Sequence, residues 1–240
     1  MNKLEHCFHK SILEVGVDEV ARGCLAGPVF AAAVIWNPFL KNYCNINIPN
    51  IRDSKKMTIA EREECDVFIK KHALDWSIAS VDVETIDKIN IRNSAMLAMH
   101  NAIDKLNVRP DHILADGNYF KEYTWKKEIE NNNSQTSNTN NTINTSNNNE
   151  TSNTSVIPYT TVIKGDNEYL SIACASIIAK VARDKHMLNL IKEDESLKKY
   201  KWENNKGYGT KEHIELIKKH GISIHHRKTF GICKKIHNKN

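Results

Sequence analysis

Asp18 and Glu19 are adjacent acids between an apolar run (Ile12, Leu13, Val15, Val17) and the small-residue cluster Ala21-Arg22-Gly23. Two carboxylates in that setting are candidate ligands for a hard cation. Neighbouring side chains of a strand point to opposite faces, so both acids can serve one site only where the strand ends and turns. Taken alone, such a dipeptide is ordinarily a solvated pair before a turn. Two further acids change that weighing. Asp116 follows the short apolar run His112-Ile113-Leu114-Ala115, and Asp166 follows Thr160-Thr161-Val162-Ile163 and a Lys164-Gly165 turn. Either could be a simple turn former. Together the four leave strand ends, where an open α/β sheet collects its ligands. Four gathered carboxylates repel one another unless cations bridge them, and an oxygen-only set suits Mg²⁺ or Mn²⁺.

The elements that must position these acids can be read from pattern. Strands are expected at Ile12–Val17, Val29–Trp36, Trp76–Val83, His112–Ala115 and Thr160–Ile163. Thr58, with Glu61 three residues later, forms a capping box for a helix that carries Val67 and Ile69 toward His72. Ile86, Ile89, Met96, Ile103 and Leu106 mark a long amphipathic helix, and Leu170–Leu190 is a second that packs Ile172, Ile177, Ile178 and Val181. Thr210 caps a last well-formed helix ending at Gly221. The sum is an α/β chain with a mixed central sheet flanked by helices.

Several longer motifs follow the first in order: Arg52-Asp53-Ser54-Lys55-Lys56-Met57, Ala115-Asp116-Gly117-Asn118, Lys164-Gly165-Asp166, the run from Ala175 to Asp184, Lys206-Gly207-Tyr208-Gly209-Thr210 and His226-Arg227-Lys228-Thr229-Phe230. In this series the chain resembles the type-two ribonucleases H, the ribonuclease HII family, from about Leu13 to Phe230 apart from one insertion. The resemblance implies an RNase H-like fold with a small helical C-terminal region. It implies an endonuclease that cuts the RNA strand of RNA–DNA hybrids and 5′ of ribonucleotides embedded in duplex DNA, leaving 5′-phosphate and 3′-hydroxyl ends. Asp18, Glu19, Asp116 and Asp166 correspond to the carboxylates that hold two divalent ions. Ala21, Arg22, Gly23 and Tyr208 correspond to the reader of the 2′-hydroxyl, the feature by which a protein tells RNA from DNA at one position. Lys55, Lys56, Lys180, Arg183 and Arg227 are expected phosphate contacts. Ala21 stands where the family usually has glycine, and Cys24 where it often has proline. The methyl group either forbids a positive φ or crowds the sugar, so weaker recognition of a single ribonucleotide is expected. Ribonuclease HIII is the alternative within the same fold, and a weakly active hybrid-binding protein is the alternative outside catalysis.

Composition agrees without being diagnostic. The 240 residues, 40% of them hydrophobic, can bury one substantial core. The net charge of +5 is uneven: residues 201–240 hold ten Lys or Arg and three Asp or Glu. That +7 leaves −2 for the first 200 residues and sets a basic segment beside an acidic site, as a nuclease requires. Residues 11–200 are therefore expected to form the catalytic domain, with 201–240 packing on it and Lys234 to Lys239 open to reading as a solvated tail. Residues 131–155, of which 22 of 25 are Asn, Ser or Thr, are expected to form a disordered insertion, because they cannot bury enough surface to offset their ordering entropy. Six cysteines without C-x-x-C spacing suit a reduced, intracellular protein, expected in the cytoplasm with a nuclear or organellar place left open, and His6-Cys7-Phe8-His9 lacks a partner pair for zinc. No apolar run is long enough to span a membrane, and a monomer acting on nucleic acid is expected.

Overall fold

Val29–Ile35 (β2) is apolar throughout and buried along its whole length, as befits an inner strand covered on both faces. In the computed structural model, which describes residues 4–37, 49–125 and 155–239, β2 pairs antiparallel with β1 (Glu14–Val20). On its other side it pairs antiparallel with β3 (Asp75–Val81). β1 also pairs parallel with β4 (His112–Asp116). A separate ribbon, β5 (Tyr123–Trp125) and β6 (Ser155–Ile157), precedes β7 (Tyr159–Val162), which lies parallel to β4. The main sheet has the order β3-β2-β1-β4-β7.

Helices cover both faces. α2 (Val83–Lys105) shares one core with Val15, Val17 and Ile113, while α1 (Ile59–His72) and α3 (Leu170–Glu193) share another with Ala32, Val34 and Val20. α3 lies close against β1 because Gly16 has no side chain. A Cβ there would stand 2.3 Å from the Ser171 carbonyl carbon and 2.4 Å from the Ile172 nitrogen. α4 (Trp202–Asn205), α5 (Lys211–His220) and α6 (Gly231–His237) build a third core with Leu25, Ala26 and Met187.

Several boundaries differ from the sequence reading. β1 runs to Val20, past both acids, because β2 continues to pair with it as far as Val20 opposite Phe30. β3 stops at Val81 because Asp82 caps α2, accepting the Thr85 N–H at 2.7 Å. α2 is broken at Asn90, whose φ of 64° is left-handed and whose side chain caps the continuation at Asn93. The Thr58–Glu61 capping box is present, but Val67 on α1 faces solvent. Residues Gly231–His237 are helical and bury Cys233, so Lys234 and Lys235 sit on a packed element rather than a solvated tail. The Asn-rich residues 131–154 lie outside the described residues. Ser155, grouped with them by composition, is the first residue of β6 and pairs with Trp125.

Candidate active site

The β1–β4 ladder ends at Val17 opposite Ala115, whereas β1 itself continues for three more residues. From residue 18 onward the β4 side of β1 is therefore free, and both Asp18 and Glu19 reach the field of Asp116 at the tip of β4. Asp116 in turn accepts the Gly165 N–H at 2.8 Å, which fixes the turn that carries buried Asp166. Lys164, at φ 58°, makes the reversal into that turn.

The electrostatics identify one cluster. Burial pushes the Asp18 carboxyl well above its ordinary range, Glu19 and Asp116 push it further, and Asp166 adds to the effect. The Ser176 hydroxyl, reaching Asp18 from α3, opposes the rise. Burial also raises Glu19, against the Arg22 guanidinium 3.0 Å away, with Asp116 adding to the rise. Asp116 is raised by burial and by Asp166, and lowered by the Gly165 N–H and by Lys55. Among the described residues no three acidic, His or Cys side chains already form a closed ligand set for one ion. The donor chemistry nonetheless fits a divalent cation: four carboxylates, oxygen donors only, whose mutual repulsion a bound ion would relieve.

Lys55 and Lys56 stand exposed at the rim, with Lys56 Nζ 3.4 Å from Asn167 Oδ1 and the Asn167 amide donating to Asp166 at 2.8 Å. Their loop is tied to the acids through Ser54, whose hydroxyl lies 3.1 Å from that of Ser176. Sequence reasoning gave Ser54, Ser176 and Asn167 no role. The available signal was a serine inside the apolar run of α3.

The other expected residues divide into two groups. Ala21, Arg22, Gly23 and Tyr208 come together, since Cys24 and Tyr208 form an antiparallel bridge immediately after the turn. Tyr208 lies beneath Lys180 and Arg183, at 5.0 and 5.5 Å from its ring centroid, and burial pushes its hydroxyl up to about 12. Lys180 is held by Asp184 at 2.9 Å. Arg183 and Arg227 differ from expectation because both are fully buried. Arg183 donates to the carbonyls of Lys206 and Ala26, and Arg227 to those of Ala21, Arg22 and Gly27. Neither guanidinium is available to a phosphate in this arrangement. Ala21 takes φ 74° despite its methyl group, and the residue is only 5% exposed. The methyl group thus neither prevents the left-handed turn nor stands out from the surface.

A cavity of about 340 Å³ lies elsewhere, between the N-terminal segment and the start of β1, and none of the expected site residues lines it. Of the described cysteines all are free, and Cys24, Cys65, Cys174 and Cys233 are buried. No helix among the described residues is long and apolar enough to cross a membrane.

Comparison with known proteins bears on the whole assembly. The family model "Ribonuclease HII" matches residues 15–233. The ribonuclease HII of Phocaeicola vulgatus is 41% identical over 225 residues, covering 94% of this chain and 92% of that protein. Among solved structures, the ribonuclease H2 of Pyrococcus horikoshii OT3 is similar with a TM-score of 0.65 at 19% identity, covering 94% of this chain and 97% of the other. Bst-RNase HIII in complex with Mn²⁺ is similar with a TM-score of 0.54 at 16% identity, covering 96% and 71%. At such identities the structures speak to the fold alone, an RNase H-like mixed sheet flanked by helices. The sequence matches, spanning the strand that carries Asp18 and the segment that carries Arg227, reach further: this chain belongs to the ribonuclease HII family.

Proposed function

We propose that this ribonuclease H cuts 5′ of single ribonucleotides embedded in duplex DNA as well as within longer RNA–DNA hybrids, leaving 5′-phosphate and 3′-hydroxyl ends. Family membership carries the coarser statement, hydrolysis of RNA paired with DNA. The observation that supports the finer one is the adjacency of a mutually repelling carboxylate field to a left-handed turn bridged to Tyr208.

Asp18, Glu19, Asp116 and Asp166 would hold two divalent ions, Mg²⁺ or Mn²⁺, which when bound supply water activation and stabilisation of the leaving 3′-oxygen. The Mn²⁺ complex of the similar Bst enzyme supports a divalent-ion requirement. The chain's own groups do the rest. Ser176 orients Asp18, and the Gly165 N–H orients Asp116. Lys55 and Lys56 draw phosphates to the mouth of the site. A Cβ at Gly23 would meet nothing within 4 Å, so a sugar has room to approach the turn there, with Tyr208 beside it.

The test uses two substrates, a DNA duplex containing one ribonucleotide and a continuous RNA–DNA hybrid, each with Mg²⁺, with Mn²⁺ and with a chelator. Both should be cut with either ion and neither with the chelator, and the upstream product should prime polymerase extension through its 3′-hydroxyl. Cleavage that survives the chelator, or that spares the single ribonucleotide altogether, overturns the corresponding part of the reading.

A further inference from the structure

The geometry points to Arg227 as a specificity-determining positioning residue, one that shapes the Ala21-Arg22-Gly23 turn from beneath and so aims its N–H groups at a ribose 2′-oxygen. This rests on the reading that the turn recognises the ribonucleotide. Arg227 is fully buried and none of the ion pairs found among the described residues involves it. A buried guanidinium in that state is costly unless dipoles replace the missing carboxylate. Here they are backbone carbonyls: Nη2 donates to Ala21 O at 2.8 Å, Nη1 to Arg22 O at 2.8 Å and Nε to Gly27 O at 3.0 Å. The Arg227 N–H also donates to Leu25 O at 2.9 Å.

Successive carbonyls of an extended chain point to opposite sides, so one guanidinium reaches two in a row only where the backbone reverses. Ala21, at φ 74°, makes that reversal. The consequence follows from peptide planarity. In a trans peptide the N–H lies opposite the C=O, so carbonyls of Ala21 and Arg22 drawn toward Arg227 turn the N–H groups of Arg22 and Gly23 away from it. The turn has open space beside it, since a Cβ at Gly23 would meet nothing within 4 Å. Two such N–H groups suit an oxygen acceptor. The fork of an arginine is needed for this, because an ammonium is a point charge that cannot hold two carbonyls in one plane. Arg227 also accounts for a non-glycine residue at position 21: the left-handed conformation, disfavoured for alanine, is held by a hydrogen bond to that residue's own carbonyl.

Arg227→Lys tests this, measured in the wild-type and the Ala21→Gly backgrounds. In the wild-type background, hydrogen exchange over residues 18–29 should speed by about tenfold, since the Cys24 N–H bonds to Ala21 O. Cleavage at a single embedded ribonucleotide should fall about fivefold more than cleavage of a long hybrid. In the Ala21→Gly background the drop in melting temperature caused by Arg227→Lys should be smaller, because glycine holds the turn unaided. Should Arg227→Lys fail to fold with Ala21 yet fold with glycine there, the inference is supported by that rescue. Unchanged exchange, or the same melting penalty in both backgrounds, overturns the role of Arg227 and leaves the proposed activity standing. Faster exchange with equal loss on both substrates overturns instead the reading of the turn as the ribonucleotide reader. A direct phosphate contact would show itself as equal loss on both substrates, a weaker salt dependence and no change in exchange.

Discussion

Gly23 is the residue of the Ala21-Arg22-Gly23 turn at which the proposed recognition of substrate and the demands of the protein separate. Its Cβ would touch nothing in the protein, so Gly23→Ala should leave the melting temperature within about 2 °C of wild type. The same methyl group would enter the space proposed for the sugar, and cleavage at a single ribonucleotide should fall about tenfold, the cost of one lost hydrogen bond. Thermal melting and single-turnover cleavage of one preparation measure both; a stability loss that matches the activity loss would count against the turn. Asp18→Asn removes a proposed metal ligand and a repelling charge together. Cleavage should drop by about a hundredfold or more. In chelator the variant should be more stable than wild type at pH 7 to 8, because the Asp18 carboxyl is raised in the folded protein. A raised acid destabilises the fold at pH values above its unfolded pKa, so the difference between variant and wild type should shrink as pH falls toward 4. Denaturant titrations at several pH values follow it. Asp116 and Asp166 were legible in the sequence as turn-flanking acids because apolar runs stop beside them, whereas Asp18 and Glu19 lie within β1 rather than at its end. Arg183 and Arg227 were not legible: a motif shows a basic residue but not whether its charge meets water or a row of carbonyls.

Elements were legible wherever one local signal dominated. The Thr58 cap is such a case, since its two hydrogen bonds lie within four residues. β1 was misjudged at its end because strand continuation depends on β2, a partner that local alternation does not reveal. Asn90 was missed for a similar reason, since apolar spacing continues across a break that the asparagine side chain itself recaps. The C-terminal elements carry a titration that follows from their packing. His213 accepts the Trp202 indole N–H at 3.0 Å and holds the Tyr208 carbonyl through Nδ1 at 2.8 Å. His226 Nδ1 accepts the Ser223 N–H at 2.9 Å, and its Nε2 lies 3.3 Å from His213. Burial first, and then His213, His225 and Lys199, push His226 down to about 3. Its folded value is thus lowered, so the stability that it contributes is present above about pH 6.5 and is lost as pH falls toward 3. Between pH 7 and pH 5 that loss amounts to about 2 kcal/mol. His226→Asn, whose side-chain oxygen can keep the Ser223 contact, should be less stable than wild type at pH 7 but lose about 2 kcal/mol less on acidification. Equal pH dependence of the two proteins would exclude His226 as the titrating group.

At the scale of the molecule, the class of fold was readable from the alternation of strands and helices, but which segments share a core was not. Leu25 and Ala26, next to the Ala21-Arg22-Gly23 turn, pack with Met187, Trp202 and Cys233. Removing the C-terminal elements would therefore strip the turn of its support as well as its arginine. The Asn-rich segment is different, because its flanking residues Trp125 and Ser155 oppose each other across β5 and β6. Replacing residues 126–154 by a two-residue Asn-Gly turn should leave cleavage within about twofold and raise stability by roughly 2 kcal/mol, as each halving of the loop recovers about 0.6 kcal/mol of closure entropy. Loss of activity in a folded replacement would assign the segment a part in substrate or partner binding. The span between Ala21 and Arg227, 206 positions, bears on how the protein is made. A ribosome delivers residues in order, so Asp18 through Asp166 emerge well before the arginine that shapes the turn. The emerging chain can assemble its acids while the carbonyls of Ala21 and Arg22 still lack their donor. If the proposed role of Arg227 holds, discrimination between ribose and deoxyribose is the last property acquired during synthesis, and a premature stop upstream of Arg227 yields a product whose turn lacks its arginine.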